Sequence, residues 1–382
     1  MKLFLKIAPR ILVLLVFMVL LDAGVRFFYE PYDRNAIYTR SDYKEDRGNI
    51  DTIFVGTSQT YAGFDPAVFD ERLGTDSFNL GSNAQLMYSS YHLIHEALTI
   101  NPVKTVYLEI NDASLTRAKN DSAQVGCFDY LISWREKFIT LIDGASNSIQ
   151  LRSMFYGLRD IDYFDFSFLK ENLTYKLTEG HTPPQKEKDS NWQYYTKGHI
   201  VSTSSYKGPS ERVIKRNKID WSVDKVQEKN LVYLQKIIDL CKEKDVELIL
   251  VTPCIYKDFL TVDVIDLHNY VSELAKENGL TYYDMNALKA RNTYFPLASY
   301  RDKTHLNQTG AETLSNLLCD LYENPNLASE LFLSIPLLNK QKKEWLPAIP
   351  FLPLIFQNNL VFFLPVVYTD RTKEISHGLY RI

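Results

Sequence analysis

Residues able to do chemistry stand at four places in this sequence, each beside a predicted strand end or helix start. Ser58 follows the first predicted strand in the run GTSQ, Gly81 follows the second in NLGSN, and Asn111 follows the third in EIND. Asp302 and His305 stand in DKTHLN before the last predicted helix, and His305 is the one histidine of seven placed in this way. A serine on a tight strand-to-helix turn exposes its hydroxyl near a positive helix N-terminus, so we expect nucleophilic chemistry at Ser58.

Each of these residues also has a structural explanation when it is taken alone. Ser58 or Asp302 could cap a helix, and Asn111 could belong to a turn. Gly81 could serve the turn after a short strand, and His305 could be an ordinary surface or core histidine. Their joint occurrence at expected strand ends favours a catalytic site.

Strand and helix patterns alternate on both sides of a long middle region. The predicted strands cover 51–56, 77–81, 104–110, 246–251 and 280–283, and the predicted helices cover 66–73, 87–99, 223–244, 262–278 and 308–322. Because each parallel crossover needs a helix to return the chain, this order predicts an α/β layered fold with a mostly parallel sheet. Ligands bind such sheets beyond the carboxyl ends of the strands, where the chemistry-bearing residues stand.

In their order and spread, these motifs resemble those of the SGNH/GDSL hydrolase superfamily, and DKTHLNQTG is the most specific of them. The resemblance implies a three-layer, flavodoxin-like SGNH fold and a serine acyl-enzyme mechanism that needs neither metal nor cofactor. It implies a nucleophile, Ser58, an acid and base, Asp302 and His305, and an oxyanion hole made by Ser58, Gly81 and Asn111.

Two positions depart from the pattern of this superfamily. Thr57 stands where an aspartate usually precedes the nucleophile, and Glu109 stands where a glycine often opens the third motif. Neither position carries the proton transfer, so the implied roles remain available. The resemblance covers about residues 51–112 and 246–322.

The remaining segments determine the predicted domain organisation. Residues 51–322 form the predicted catalytic domain, with an aromatic-rich insertion at about 113–222. Residues 30–50 are predicted to link this domain to the membrane. The tail, 323–382, contains two proline-broken apolar runs, and we expect it to pack on the domain or on the bilayer surface.

The N-terminus has the pattern of a membrane anchor. Residues 11–29 are mostly apolar and long enough to cross a bilayer, and Asp22 and Arg26 stand four apart, where they could pair near the outer interface. Lys2, Lys6 and Arg10 predict that residues 1–10 stay in the cytoplasm and that the catalytic domain is extracytoplasmic on a single-pass membrane protein. A cleaved signal peptide and a buried core helix are the alternatives. The anchor is favoured because no A-x-A cleavage site follows the apolar run.

Composition excludes several classes of protein. The 382 residues are 45% apolar and 24% charged, which is typical of a globular chain, and the mean hydropathy of −0.22 argues against several membrane spans. After the first ten residues the chain has 40 bases and 47 acids, so no nucleic-acid partner is expected. The four cysteines lack metal spacing, and buried thiols are favoured over a disulfide for three that have apolar neighbours, Cys241, Cys254 and Cys319.

An exported SGNH-like domain resembles the members that add or remove O-acyl groups, above all acetyl, on cell-envelope polysaccharides. A membrane acyl-donor protein would be a partner if the reaction is transfer, and the sequence leaves transfer and hydrolysis both open. Aromatic residues of the insertion could stack on sugars or serve packing: Trp134, Trp192, Tyr194 and Tyr195. Two other hypotheses are a non-catalytic envelope assembly or binding protein and a lipid esterase.

Overall fold

The computed structural model describes residues 2–31, 35–118, 121–143, 147–178, 192–208, 221–260 and 262–333. Of the predicted tail, 323–382, the residues from 334 onward lie outside the described residues. The strands are β1 (Thr52–Val55), β2 (Ser77–Asn79), β3 (Thr105–Glu109), β4 (Gln193–Thr196), β5 (His199–Val201), β6 (Glu247–Thr252) and β7 (Thr281–Asp284).

Helices lie between most of these strands. They are α1 (Lys2–Tyr29), α2 (Asn35–Glu45), α3 (Ser58–Gly63), α4 (Pro66–Leu73), α5 (Met87–Ile100), α6 (Asp112–Thr116), α7 (Asp121–Cys127), α8 (Trp134–Ile142), α9 (Asn147–Met154), α10 (Phe166–Thr178), α11 (Glu228–Glu243), α12 (Val262–Asn278), α13 (Arg291–Tyr294), α14 (Gln308–Glu323) and α15 (Leu327–Leu331). Short 3₁₀ turns lie at Tyr156–Leu158, Val223–Lys225, Lys257–Phe259, Met285–Ala287 and Leu297–Ser299.

Five parallel strands form the central sheet in the order β2-β1-β3-β6-β7. Counted within the sheet this is the flavodoxin-like order 2-1-3-4-5, which reverses direction between β1 and β3. The predicted α/β layered fold with a mostly parallel sheet is therefore confirmed. The reversal opens a crevice beyond the carboxyl ends of β1 and β3, where Ser58 and Asn111 follow.

Helices cover both faces of the sheet, which explains why its central strands β1, β3 and β6 are mostly apolar. On one face Ile53 and Val55 of β1 pack in a core that includes Leu93 of α5 and Ile237 of α11. On the other face Phe54 packs in a second core with residues of α4 and α14, including Phe69, Leu314 and Leu318. Alternate residues of one strand thus serve two helical layers, as a three-layer sandwich requires.

A helix occupies the segment predicted as a linker, 30–50. Tyr43 of α2 is fully buried beside Phe78, with ring centroids 5.1 Å apart, and Tyr38 packs on Tyr194 of β4. The segment is polar overall, but three residues on one side of the helix are buried: Tyr38, Thr39 and Tyr43. At least this part of the segment therefore packs as part of the domain.

The insertion contributes an antiparallel hairpin, β4–β5, which the sequence analysis does not predict. The hairpin lies at the β2 edge of the sheet, where the backbone N–H of Asn79 donates to the carbonyl of Lys197 at 2.9 Å. The Lys197 ammonium bonds Asp70 at 2.8 Å and Asp76 at 2.9 Å. These contacts hold the hairpin beside α3 and therefore beside Ser58.

Helix α1 carries the predicted anchor. Within its segment Ile7–Tyr29 a stretch of 18 residues has a mean hydropathy of 2.4 and none of it is buried, and the segment is long enough to cross a membrane. Asp22 and Arg26 do not pair with each other. The Arg26 guanidinium instead bonds Glu30 at 3.1 Å, and Asp22 accepts the backbone N–H of Gly157 at 2.8 Å.

The four cysteines are all buried free thiols: Cys127, Cys241, Cys254 and Cys319.

Candidate active site

The turn after β1 places Ser58 at the first position of α3. The Thr57 hydroxyl caps this helix by accepting the backbone N–H of Gln59 at 3.2 Å. Gly56 has a φ of +155°, and an added Cβ would lie 2.4 Å from Thr60 Oγ1 and 2.5 Å from Glu109 Cβ. Only a glycine fits here, so the chain can pass close to β3 and present Ser58 at the sheet edge.

Ser58, His305 and Asp302 form a hydrogen-bonded relay. Ser58 Oγ lies 2.8 Å from His305 Nε2, and His305 Nδ1 lies 2.9 Å from each carboxylate oxygen of Asp302. Because the carboxylate accepts a hydrogen bond from Nδ1–H, Nε2 is left to accept the proton of the serine hydroxyl. The structure thus brings together the three residues expected to be the nucleophile, base and acid.

Asp302 is held in its ionised form by its surroundings. Burial opposes this, but the hydrogen bond and charge of His305 and the backbone N–H groups of Thr304 and His305 outweigh it and lower the pKa of Asp302 far below its ordinary value. The backbone donors lie 3.0 Å from Asp302 Oδ1, and Arg301 donates to Oδ2 at 2.8 Å. An ionised, fixed carboxylate can orient the imidazole and stabilise its cation.

Trp192, at the start of the hairpin, packs beside the relay. Its ring meets the His305 imidazole edge to face with centroids 5.5 Å apart, and the Arg301 guanidinium stacks 4.3 Å from its centroid. Tyr61 closes another side of Trp192 at 5.6 Å. A residue of the insertion thereby shields His305, a role that the sequence analysis does not assign to it.

Of the three residues expected to form an oxyanion hole, Ser58 and Asn111 present donor groups close together. Ser58 is at the first helical position, where a backbone N–H has no acceptor within the helix. The Asn111 side chain points toward the turn that carries Ser58, and its amide lies 3.3 Å from Thr57 Oγ1 and 3.2 Å from Gln59 Oε1. Both groups are therefore near Ser58.

The Gly81 N–H is engaged elsewhere, since it donates to Asn79 Oδ1 at 3.0 Å. The Asn79 amide is in turn fixed by the carbonyls of Thr60 and Phe64 at 2.9 and 2.8 Å. An added Cβ at Gly81 would lie 2.7 Å from the backbone nitrogen of Tyr61. A glycine is required at this position because the loop passes too close to α3 for a side chain.

Glu109 is a site residue that the sequence analysis misses as such. It is fully buried at the end of β3, and one carboxylate oxygen accepts the Thr57 N–H and the Thr60 hydroxyl while the other accepts the Asn111 amide at 2.6 Å. Burial raises the pKa of Glu109, although the hydrogen bonds from Thr57 and Thr60 oppose the shift. A glutamate ending an otherwise apolar buried strand is the sequence signal that could have revealed it.

Gln59 links helix α3 to the loop that carries His305. Its side-chain amide donates to the carbonyl of Thr304 at 2.9 Å, and its Oε1 accepts from Asn111. Within the described residues no group of three or more His, Cys, Asp or Glu could hold a metal ion.

Comparison with known proteins gives only distant similarity. No family model and no curated protein matches the sequence. Two solved structures are similar to this chain. One is a protein from Bacteroides fragilis assigned as an acylhydrolase, with a TM-score of 0.35 and 11% identity over 75% of this chain and 95% of that chain. The other is a GDSL-like lipase from Bacteroides thetaiotaomicron, with a TM-score of 0.34 and 10% identity over 77% of this chain and 99% of that chain. Similarity at this level carries no inference about activity.

Proposed function

We propose that this chain is a membrane-anchored serine esterase or O-acyltransferase of the SGNH/GDSL type. The observation that supports this most strongly is the relay from Ser58 Oγ through His305 to Asp302, with distances of 2.8 and 2.9 Å. Such a relay is the arrangement that activates a serine for acyl transfer on unrelated folds.

In the proposed mechanism, Ser58 Oγ attacks the ester carbonyl while His305 Nε2 takes its proton. The tetrahedral oxyanion is bound by the Ser58 N–H and by the Asn111 amide N–H that turns from Gln59 and Thr57 toward it, while the other amide N–H keeps its bond to Glu109. Gly81 can join them only if its N–H leaves Asn79 Oδ1. When the tetrahedral intermediate collapses, the ester C–O bond breaks and His305 gives the proton to the departing alcohol. The acyl group then remains on Ser58.

The second half of the reaction sets the difference between esterase and transferase. In hydrolysis a water molecule attacks the acyl-enzyme, and in transfer a sugar hydroxyl does so, with His305 accepting the proton in either case. Both outcomes regenerate the free Ser58 hydroxyl. The chemistry of the relay is identical for the two, so acceptor access decides between them.

We propose acetyl groups of cell-envelope polysaccharide as the substrate class, with the catalytic domain outside the cell membrane. The apolar segment of α1 and the basic residues at the N-terminal end of this helix, Lys2, Lys6 and Arg10, support this location. Of the aromatic residues of the insertion, Tyr195 is 55% exposed on the hairpin beside the site and could stack on a sugar. Tyr194 serves packing instead, because it is buried and its hydroxyl bonds Asp42.

The test is acyl turnover by the full chain with p-nitrophenyl esters and with a glycan acceptor. We expect p-nitrophenyl acetate to react faster than long-chain esters, and Ser58→Ala to abolish the reaction while Ser222→Ala leaves it unchanged. Acetyl appearing on the glycan would identify a transferase, which would need an acyl donor at the membrane. Preference for long chains would favour a lipid esterase, and no turnover of any ester would favour the non-catalytic alternative.

A further inference from the structure

A cavity of about 480 Å³ lies where α1 meets α2 and the insertion. Val19 and Ala23 of α1 form part of its wall, opposite Leu131, Ile132 and Trp134 of the insertion. These side chains give the cavity an apolar wall that continues along the membrane-spanning candidate Ile7–Tyr29. This cavity belongs to no part of the relay described above.

The same cavity is lined by four basic residues, Arg26, Arg40, Lys44 and Lys137, and by one acidic residue, Asp22. Glu30, outside the lining, bonds both Arg26 and Arg40 at 3.1 and 3.3 Å. Asp22, which accepts the backbone N–H of Gly157, and Glu30 together supply two negative charges against the four basic residues. The lining therefore has more positive charge than the neighbouring acids neutralise.

Lys137, like Lys44, forms no ion pair with any residue in the part of the chain that the structure describes, whereas Arg26 and Arg40 both pair with Glu30. The Lys137 ammonium lies 5.7 Å from the centroid of the Trp134 ring. Burial together with the charges of Arg26 and Arg40 lowers the pKa of Lys137 to about 8, although two nearby carboxylates oppose the shift. A bound anion would relieve this crowding of positive charge.

Neighbouring elements also expose apolar residues at this end of α1. Lys176 of α10 donates to the carbonyl of Phe27 at 2.8 Å, so α10 is fixed to the outer end of α1. Phe164 and Phe166, before and at the start of α10, are 82% and 69% exposed. Exposed Phe side chains beside a membrane helix are apolar surface that can insert into the headgroup and acyl-chain boundary of a bilayer.

We propose that this cavity binds the phosphate headgroup of an anionic membrane lipid. The four basic residues would contact the phosphate, and an acyl chain would lie along Val19 and Ala23 toward the bilayer. Cationic side chains beside apolar helix surface are the chemistry that recognises such lipids. The proposal depends on α1 lying in a membrane and is independent of the proposed esterase function.

The test uses the full chain in detergent with dioleoyl phosphatidylglycerol or dioleoyl phosphatidylcholine, and native mass spectrometry measures the lipid retained. We expect phosphatidylglycerol to be retained roughly tenfold better than phosphatidylcholine. The double variant Lys137→Gln with Arg40→Gln should lose this preference. Lys137→Arg should keep it, and Lys242→Gln on the surface of α11 is the matched control.

Equal retention of the two lipids, or an unchanged preference in the double variant, would overturn the proposal. Displacement of phosphatidylglycerol by inorganic phosphate at equal concentration would also overturn it, because the site would then hold a free anion and not a lipid. Lipid retention by Ser58→Ala separates this test from the esterase test. Thermal unfolding of each variant shows whether a lost preference reflects lost folding.

Discussion

At the residue scale, Glu109 links three parts of the site through one buried carboxylate. It accepts hydrogen bonds from the Thr57 backbone, the Thr60 hydroxyl and the Asn111 amide. The first two fix the turn that carries Ser58, and the third fixes a proposed oxyanion donor. Glu109 is therefore a positioning residue: we expect its loss to act through Ser58 and Asn111.

We predict that Glu109→Gln lowers kcat for p-nitrophenyl acetate by roughly 10- to 100-fold with little change in KM. The new amide nitrogen cannot accept a hydrogen bond, so it leaves a buried donor of Thr57, Thr60 or Asn111 unpaired, at a cost of about 1–3 kcal/mol. Steady-state kinetics measures the effect. Glu247→Gln, at the exposed start of β6, is the matched control, and equal kcat values for the two variants would contradict the positioning role.

At the element scale, the turn between β1 and α3 depends on the absence of a side chain at Gly56. We predict that Gly56→Ala lowers the free energy of unfolding by about 1–3 kcal/mol and also lowers ester turnover, because the added methyl group would overlap Thr60 and Glu109. Urea unfolding and kinetics measure the two effects.

Gly126→Ala, within α7, is the matched control for Gly56→Ala. An added Cβ there meets no atom within 4 Å, and alanine favours helix over glycine by up to about 1 kcal/mol. Stability should therefore stay the same or rise. A Gly56→Ala protein as stable and as active as this control would show that the tight turn is not required.

The contact between α5 and α8 should make stability depend on pH. Glu96 of α5 accepts the backbone N–H groups of Ile132 at 3.1 Å and Ser133 at 2.6 Å, before α8. Burial raises the pKa of Glu96 from 4.5 to about 7 despite these bonds, and nearby Glu136 adds to the shift while Lys137 opposes it.

The folded protein therefore binds this proton more tightly than the unfolded chain. We predict that the free energy of unfolding falls as pH rises from about 4.5 to about 7, by on the order of 2–3 kcal/mol for Glu96 alone. Glu96→Gln should remove that part of the slope in urea unfolding measured across this range. A slope equal to that of the wild type would contradict the prediction.

A second titrating group near α8 should remain in that variant. Burial lowers the pKa of His92, but the carboxylates of Asp143 and Glu136 beside its two ring nitrogens outweigh burial and raise it. Protonated His92 therefore stabilises the folded state below about pH 6.5, and this contribution to the free energy of unfolding is lost as pH rises further. The residual slope of Glu96→Gln should lie in this higher range.

At the scale of the whole molecule, the parallel sheet and the relay could be predicted from sequence for a physical reason. Strands buried on both faces are continuous apolar runs, and residues such as Ser58 follow them directly. The motif around Asp302 and His305 is local, and backbone hydrogen bonds within that loop hold its geometry.

Other features depend on long-range contacts that local patterns do not reveal. The β4–β5 hairpin is fixed by Lys197 against Asp70 and Asp76, more than 100 residues away. The engagement of the Gly81 N–H by Asn79 likewise depends on where α3 places the carbonyls of Thr60 and Phe64. Neither pairing follows from spacing or hydropathy.

The molecule as a whole is predicted to span the membrane once, with its N-terminus in the cytoplasm. Because the four native cysteines are buried, single reporters can test this with a membrane-impermeant maleimide. Asn324→Cys, just after α14, should be labelled in intact cells, and Lys2→Cys only after permeabilisation. Labelling of Lys2→Cys in intact cells would show the reverse orientation, and absence of the N-terminal peptide from the mature chain would show a cleaved signal peptide.

The central claim is that Ser58 is a nucleophile activated by His305, and fluorophosphonate labelling of the full chain tests it most directly. Mass spectrometry of the intact protein and of its peptides would measure the extent, rate and site of labelling. We predict one label per chain at Ser58, none in Ser58→Ala, and a rate lowered by on the order of 1000-fold or more in His305→Ala. An unlabelled Ser58 in the wild type, or an unchanged labelling rate in His305→Ala, would contradict the claim.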